Sequence, residues 1–368
     1  MAAMSVDYLR ISVTDRCNLR CIYCNPLGRA GLATGGSVKA EGLGDGEWAN
    51  HRQAALDAAT RPVKDPRNRG ILDPLDYDRP AGGRETLTSD QIVRLVRLST
   101  RCGIRRVRLT GGEPLLREDI VELVRRLAAI SGVEDLSMTT NGMLLASMAA
   151  ELKEAGLKRV NISLNAVDRD CYERVVGADA LPQVLDGMHK AIEAGLSPVR
   201  VNCVLMRDVN VSQIEPLAEK TLRQPVAVRF IEYCPTTRLT GPASCYVPTR
   251  EVRGIVESRF GPLSDLVLPD SGGPAVYFRI EGAVGAVGFI SGRSSVFCHR
   301  CTRLRLSSDG KIKPCLYDGC FYDVGSLLRA GAEDDAILSL LQKAMREKNQ
   351  HTKLNAAAGD FLMQQIGG

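Results

Sequence analysis

Along residues 8–232, short runs dominated by Val, Ile and Leu take turns with longer stretches whose apolar positions recur every three to four residues. The runs at 8–13, 106–110, 135–139, 159–165, 199–206 and 226–232 read as strands. The stretches at 117–129, 143–155, 181–194 and 211–223 read as amphipathic helices, each ending near Gly or Pro. Strand and helix in strict order imply parallel pairing with the helices outside. Six such units fall short of a closed eight-stranded barrel. The expected fold is therefore α/β, a partial, TIM-like (β/α)6 barrel whose side the C-terminal region closes. In barrels the chemistry sits at the C-terminal ends of the strands.

The rhythm changes twice. Residues 27–84 are rich in Gly, Asp, Arg and Ala, carry Gly-Gly at 35–36 and 82–83, and offer one helical pattern near 46–59. A connection this long is a functional lid or is disordered, and its composition favours disorder. Beyond Pro248 a helix at 250–260 precedes strand patterns at 276–280, 286–290 and 303–307, a helix near 323–348 and a polar tail. This divides the chain into a barrel at 1–235 and an α+β region at 236–368.

Composition narrows the class. The 368 residues are 44% hydrophobic and 25% charged, as in an ordinary globular chain, and hold no apolar run of the roughly 18 residues needed to span a bilayer. A cytosolic, unanchored protein is expected. The net charge of +5 comes without a long basic run, which argues against nucleic acid and leaves arginines for an anionic small molecule. Twelve cysteines in so long a chain without an export signal point to metal ligation or catalysis rather than a disulfide scaffold.

Two cysteine triplets stand out. Cys17, Cys21 and Cys24 follow the first strand at a spacing that can hold three irons of a [4Fe-4S] cube and leave the fourth open to a small molecule. Cys298, Cys301 and Cys315 repeat the arithmetic; a structural zinc completed by His299 or Cys320 is the other reading of this second set. Cys102, Cys171, Cys203, Cys234, Cys245 and Cys320 are scattered and read as small buried residues.

The stretch Arg10 to Cys24 resembles the cluster loop of radical S-adenosylmethionine (SAM) enzymes and, within that superfamily, the GTP 3′,8-cyclase family of molybdenum cofactor biosynthesis. The likeness continues through Leu-Thr-Gly-Gly-Glu-Pro at 109–114, Thr-Thr-Asn-Gly at 139–142, Arg-Val-Asn-Ile-Ser-Leu at 159–164 and Arg-Phe-Ile-Glu at 229–232. It takes in Phe-Cys-His-Arg-Cys-Thr-Arg-Leu-Arg-Leu at 297–306 and the terminal Gly367 and Gly368, and omits only the segment at about 27–84.

The resemblance implies two [4Fe-4S] clusters. The first, on Cys17, Cys21 and Cys24, chelates SAM, which yields a 5′-deoxyadenosyl radical on reduction; the second, on Cys298, Cys301 and Cys315, binds substrate. It implies SAM contacts from Tyr23, Gly112, Glu113, Ser163 and Cys234, and GTP contacts from Arg10, Arg106, Arg108, Thr139, Arg200, Arg229, Arg303 and Arg305. Independently of any family, Arg106 with Arg108 and Arg303 with Arg305 alternate along strands, so each pair shares a face. Guanidinium forks suit a triphosphate. The implied reaction is abstraction of the ribose 3′ hydrogen and attack of C3′ on guanine C8, giving 3′,8-cyclo-7,8-dihydro-GTP. Gly367 and Gly368 reach into the active site in this family. The implied partners are GTP, an electron donor, a downstream cyclic pyranopterin monophosphate synthase and, as is common in the family, a second copy of the chain. Nucleic acid and membrane are not among them. The implied compartment is the cytosol, or the mitochondrion for a eukaryotic source.

Five positions depart from the family pattern. Arg106 and Arg200 replace lysine, Cys234 replaces methionine, Thr302 replaces asparagine and Asn165 replaces aspartate. Two other functions compete: a radical SAM enzyme with an auxiliary cluster acting on a peptide or RNA, and a noncatalytic iron–sulfur or zinc scaffold. The first calls for more C-terminal cysteines, the second for eroded SAM and arginine motifs.

Overall fold

The computed structural model describes residues 6–24, 85–234, 245–268, 273–295, 297–316 and 321–348; the 27–84 segment with its helical pattern, Cys320 and the terminal Gly367 and Gly368 lie outside the described residues. Six parallel strands form the centre, in chain order: β1 (Tyr8–Ser12), β2 (Arg106–Thr110), β3 (Asp135–Thr140), β4 (Arg159–Ser163), β5 (Val199–Leu205) and β6 (Val226–Glu232). The crossovers carry α1 (Ser89–Arg101), α2 (Ile120–Ala128), α3 (Leu145–Glu154), α4 (Arg169–Val176), α5 (Leu181–Glu193) and α6 (Ile214–Arg223). Helices α1 and α4 are not among the elements that the apolar pattern predicts. The signal for α1 is a capping box: Gln91 N–H donates to the Thr88 hydroxyl at 3.2 Å and Thr88 N–H to the Gln91 side chain at 2.9 Å.

The C-terminal part contributes α7 (Thr249–Phe260), β7 (Ser264–Leu266), β8 (Val276–Arg279), β9 (Ala286–Ile290), β10 (Arg303–Leu306), β11 (Lys311–Lys313), β12 (Tyr322–Asp323), α8 (Val324–Arg329) and α9 (Asp334–Glu347). The helix expected near 323–348 is two helices, because Gly331 takes a left-handed φ of 67° between them. The sheet order is β12-β11-β10-β1-β2-β3-β4-β5-β6-β9-β8-β7. Strand β10 pairs parallel with β1, and β9 pairs parallel with β6. The C-terminal part therefore adds one parallel strand to each edge of the six, then an antiparallel hairpin beyond each.

Side chains alternate across the strands. One face is apolar: Leu9, Ile11, Val107, Leu109, Val160, Ile162, Val201, Cys203, Val228 and Phe230 are all at most 1% exposed. It packs on the inward faces of the helices, such as Ile120, Leu123, Val124 and Leu127 of α2. The opposite face is polar and follows unbroken register from strand to strand. Arg10 stands beside both Arg108 and Arg305, Ser137 beside Arg159, Asn161 beside Arg200, and Asn202 beside Arg229. In a flat sheet β1 and β6 would lie about 24 Å apart. The charges of Tyr8 on β1 and Arg108 on β2 nevertheless bear on Arg229 of β6, so the sheet curls and its polar face becomes the inside. Among the described residues no helix is long and apolar enough to cross a membrane.

Candidate functional site

The first cysteine triplet occupies the loop leaving β1. Two backbone bonds stitch this loop to the end of α4, Arg20 N–H to Val176 O at 2.9 Å and Ile22 N–H to Val175 O at 3.0 Å. Two more tie it to the turn after β2, Gly112 N–H to Thr14 O at 2.8 Å and Glu113 N–H to Arg16 O at 2.7 Å. A Cβ on Gly112 would stand 2.1 Å from Arg16 O, so glycine here admits the cluster loop itself. The sequence points to close approach of a ligand at this glycine; the structure places a neighbouring stretch of backbone there. The Asn141 side chain donates to Asn18 Oδ1 at 2.7 Å and fixes the loop against the end of β3.

Within this frame Cys17, Cys21 and Cys24 are half-buried, none of the described cysteines is in a disulfide, and Cys24 N–H closes a turn on Cys21 O at 3.0 Å. Burial pushes the Cys17 thiol well up, reinforced by Cys21, Glu113 and Cys24 nearby. Three thiols on one short loop, one of them raised by the other two, suit a cation that would relieve the repulsion of their thiolates, the donor set of an iron–sulfur cube. Among the described residues no three Cys, His, Asp or Glu side chains are already gathered around one metal position. Glu113 is 1% exposed and anchors rather than projects. Its carboxylate accepts from Leu115 N–H at 3.0 Å, the Thr140 hydroxyl at 2.7 Å and Asn141 N–H at 2.6 Å. Burial still carries it up to about 7, against those three hydrogen bonds.

The remaining residues matched to SAM sit at the same end. Tyr23 accepts from the Asn165 side chain at 3.0 Å, while Asn165 Oδ1 accepts from Val204 N–H at 2.9 Å. The backbone donor on Val204 fixes the amide's orientation, so an asparagine presents an N–H to the phenol where aspartate would present an oxygen. Ser163 closes β4 beside Asn202, and Cys234 lies just past β6, with its Sγ 3.1 Å from the place of a Cβ on Gly292.

Among the described residues the polar face of the sheet carries eight arginines, the seven expected ones and Arg159. Arg10 and Arg305 are 7% exposed, Arg229 6% and Arg200 2%. Burial, then Arg305 and Arg108, drive Arg10 well below its ordinary value; Arg108 and Arg200 fall to about 10, chiefly by burial. Burial would raise Tyr8, but Arg108, Arg10, Arg159 and Arg303 together pull it down. Two guanidiniums, Arg106 and Arg108, lie 5.0 and 5.3 Å from its ring centre.

Neutral and acidic groups orient these cations. Arg229 donates to Asn202 Oδ1 at 2.8 Å and Asn161 Oδ1 at 2.9 Å, and Arg108 donates to the Ser137 hydroxyl at 3.2 Å. Arg159 forks onto Asp135, with Nε at 3.0 Å from Oδ1, while its Nη1 is buried without a hydrogen-bond partner. Arg200 likewise keeps Nε and Nη2 unpaired. Arg106 is bound by Asp7 at 2.7 and 2.9 Å and by the Thr302 hydroxyl at 3.1 Å, so two of the five departures touch each other. Thr139 accepts from the Asn161 side chain at 3.3 Å. Asp135, Arg159, Asn161 and Asn202 also stand on this polar face, and none of them is among the expected site residues. Their signal is polar residues at every second position of otherwise apolar strands.

The second triplet lies at the other end. Cys298 and Cys301 immediately precede β10, which runs parallel to β1, whereas Cys17 follows β1. The two sets are thus separated by at least the length of β1, about 13 Å. The first triplet stands at the C-terminal end of its strand, as expected in a barrel, and the second stands at the N-terminal end of β10. Strand β11 runs back along β10, with Lys313 beside Arg305, and so returns Cys315 towards Cys301. Arg303 stacks 5.1 Å over the Phe297 ring. Burial pushes the Cys301 thiol up, but Arg303 and Lys348 outweigh it and bring it to about 7. The His299 side chain lies outside the described residues.

Comparison with known proteins agrees with this geometry. Residues 11–221 match the radical SAM superfamily and residues 226–354 match the family Molybdenum Cofactor Synthesis C. The SuiB crystal structure from Streptococcus suis shares the fold, with a TM-score of 0.56 at 13% identity over 97% of this chain and 77% of that one. The chain belongs to the radical SAM superfamily. A protein named GTP 3′,8-cyclase from Pelotomaculum thermopropionicum is 38% identical over 99% of this chain and 98% of its own length. One of that name from Moorella thermoacetica matches at the same 38% and the same coverage. Within the superfamily, the chain is a member of the GTP 3′,8-cyclase family.

Proposed function

We propose that this chain is a radical SAM lyase that cyclises GTP to 3′,8-cyclo-7,8-dihydro-GTP, the first step of molybdenum cofactor biosynthesis. The observation that carries the reading is the interior itself, eight arginines against Asp7 and Asp135 on one curled face, between two cysteine triplets. Such an excess of positive charge on one inward face, with Arg10, Arg159, Arg200, Arg229 and Arg305 buried, calls for a polyanion of small cross-section. An RNA or peptide modifier would instead present an open basic or peptide-binding surface.

Cys17, Cys21 and Cys24 would hold the first [4Fe-4S] cluster, with Tyr23, Gly112, Glu113, Ser163 and Cys234 around SAM. When bound and reduced by one electron, the pair would supply a 5′-deoxyadenosyl radical able to take the ribose 3′ hydrogen. Cys298, Cys301 and Cys315 would hold the second cluster, which would supply a binding position for the guanine. The protein's own part is positional. Arg229 and Arg108, held by Asn202, Asn161 and Ser137, offer pre-aimed donors to the triphosphate, and Arg200 offers unpaired N–H groups. Arg10, Arg106, Thr139, Arg303 and Arg305 complete the GTP site. Gly367 and Gly368 would enter it from the C-terminus, as in the family. The barrel at 1–235 and the C-terminal region at 236–368 act as one site, since β9 and β10 pair directly with barrel strands. An electron donor, a downstream cyclic pyranopterin monophosphate synthase, a second copy of the chain and a cytosolic setting complete the proposal.

Anaerobic turnover tests it: reconstituted protein with SAM, reductant and either GTP, ATP or no nucleotide, following 5′-deoxyadenosine and nucleotide product. The expected result is deoxyadenosine dependent on GTP with a matching cyclised product. SAM cleavage indifferent to the nucleotide would move the substrate elsewhere. Cys17→Ala abolishes SAM cleavage, whereas Cys301→Ala loses cyclisation more than SAM cleavage.

A further inference from the structure

Lys348 stands at the end of α9 with only 5% of its surface exposed. Its ammonium group reaches two backbone carbonyls, Arg303 O at 2.7 Å and Pro314 O at 2.8 Å, and lies 3.7 Å from Cys301 Sγ. Three hydrogens thus meet three acceptors. The acceptors have a pattern: Arg303 is two residues past Cys301, and Pro314 immediately precedes Cys315. The β10–β11 ladder pairs Arg305 with Lys313, and towards the cysteines Lys348 spans the same two segments.

We propose that Lys348 is a positioning residue of the second metal centre, tying the Cys301 and Cys315 segments together and matching a thiolate at Cys301. The inference rests on the reading of Cys298, Cys301 and Cys315 as cluster ligands. Its physical basis is the cost of burying an ammonium group. Two neutral carbonyls satisfy hydrogens but leave the charge uncompensated, and a protonated thiol adds nothing to offset it. A metal-bound thiolate does. Groups that hydrogen-bond to ligating atoms hold those ligands in place, and hydrogen bonds to cluster sulfurs also set the reduction potential. Lys348 therefore acts on assembly of this cluster and on its potential, and on neither at the first cluster, at the other end of β1.

The test uses full-length protein reconstituted anaerobically, measuring iron and sulfide per chain, the thermal melt, and the potential of each cluster by titration followed with electron paramagnetic resonance. Wild type with two cubes carries about eight irons. Lys348→Met is expected to fall towards about four, losing the second cluster's signal and keeping the first's. Lys348→Arg, which keeps the charge and the donors, restores the iron. Lys348→Gln keeps donors without charge; its second cluster is retained and titrates at a more negative potential, with the first unmoved. A Lys348→Met protein with wild-type iron and an unshifted second potential overturns the inference. So does a Lys348→Gln protein with the wild-type potential, should the Met variant not melt cooperatively. Cys301→Ala separates the two readings. If it loses one cluster while Lys348→Met loses none and leaves the second potential unshifted, the inference about Lys348 fails alone; if Cys301→Ala itself keeps all its iron, the second-cluster reading fails.

Discussion

The packing of Gly112 against the cluster loop makes Gly112→Ala a demanding test. An alanine Cβ would lie 2.1 Å from Arg16 O, 2.5 Å from Arg16 C and 2.8 Å from Asp15 O, where ordinary contact begins at 3.4 Å. Since 3.4 − 2.1 is 1.3, the 15–16 backbone must retreat by about 1.3 Å, and backbone, unlike a side-chain tip, has nowhere to rotate. The same retreat breaks or stretches Gly112 N–H to Thr14 O at 2.8 Å and Glu113 N–H to Arg16 O at 2.7 Å. Overpacking costs about 1–3 kcal/mol and each lost hydrogen bond about 0.5–1.5, or about 2–6 kcal/mol in all. The expected outcome is a thermal midpoint lowered by several degrees in protein without clusters, together with a first cluster that reconstitutes incompletely because Cys17 moves with Arg16. Scanning calorimetry and iron analysis measure both. A midpoint within about 2 °C of wild type, with full first-cluster iron, would refute the argument that glycine serves loop–loop packing.

Three further expectations follow from the interior. Asp135→Asn removes the acidic partner of Arg159, whose side chain is 4% exposed, and should cost about 3–5 kcal/mol in urea unfolding; a loss under about 1 kcal/mol would show the pair to be dispensable. Glu113 has a folded-state pKa of about 7 against an ordinary 4.5, so the native state binds the proton more tightly and stability falls as pH rises between those values. Relative to Glu113→Gln the fall amounts to about 3 kcal/mol, read from unfolding free energies at pH 4 and pH 8, and parallel curves would contradict it. Asn202→Ala releases Arg229 from its 2.8 Å anchor and should raise KM for GTP about 5–30-fold with SAM binding unchanged. Equal losses for both ligands would place Asn202 outside the GTP site.

Much of the site is legible in the order of residues along the chain. The cysteine spacing is local, so Cys17, Cys21 and Cys24 group by their intervals alone. The same holds for Arg106 with Arg108 and Arg303 with Arg305, because a strand's period of two puts alternate residues on one face. Alternating strands and helices specify the parallel core, and the observed β2, β6 and β9 have the expected bounds.

What sequence alone does not determine is everything set by pairing between distant strands. Period two says that Arg10 and Tyr8 share a face, but not which of the two faces points inward, nor that β10, nearly three hundred residues later, lies beside β1. That pairing sends the second triplet to the opposite end from the first and lets eight arginines from six strands converge. Curling adds the rest: only a closed interior makes Asp135, Asn161 and Asn202 necessary, since solvent would otherwise supply their hydrogen bonds. The local chain thus determines which chemistry is present, and the tertiary structure determines which charges must share one low-dielectric space and which neighbours hold them there.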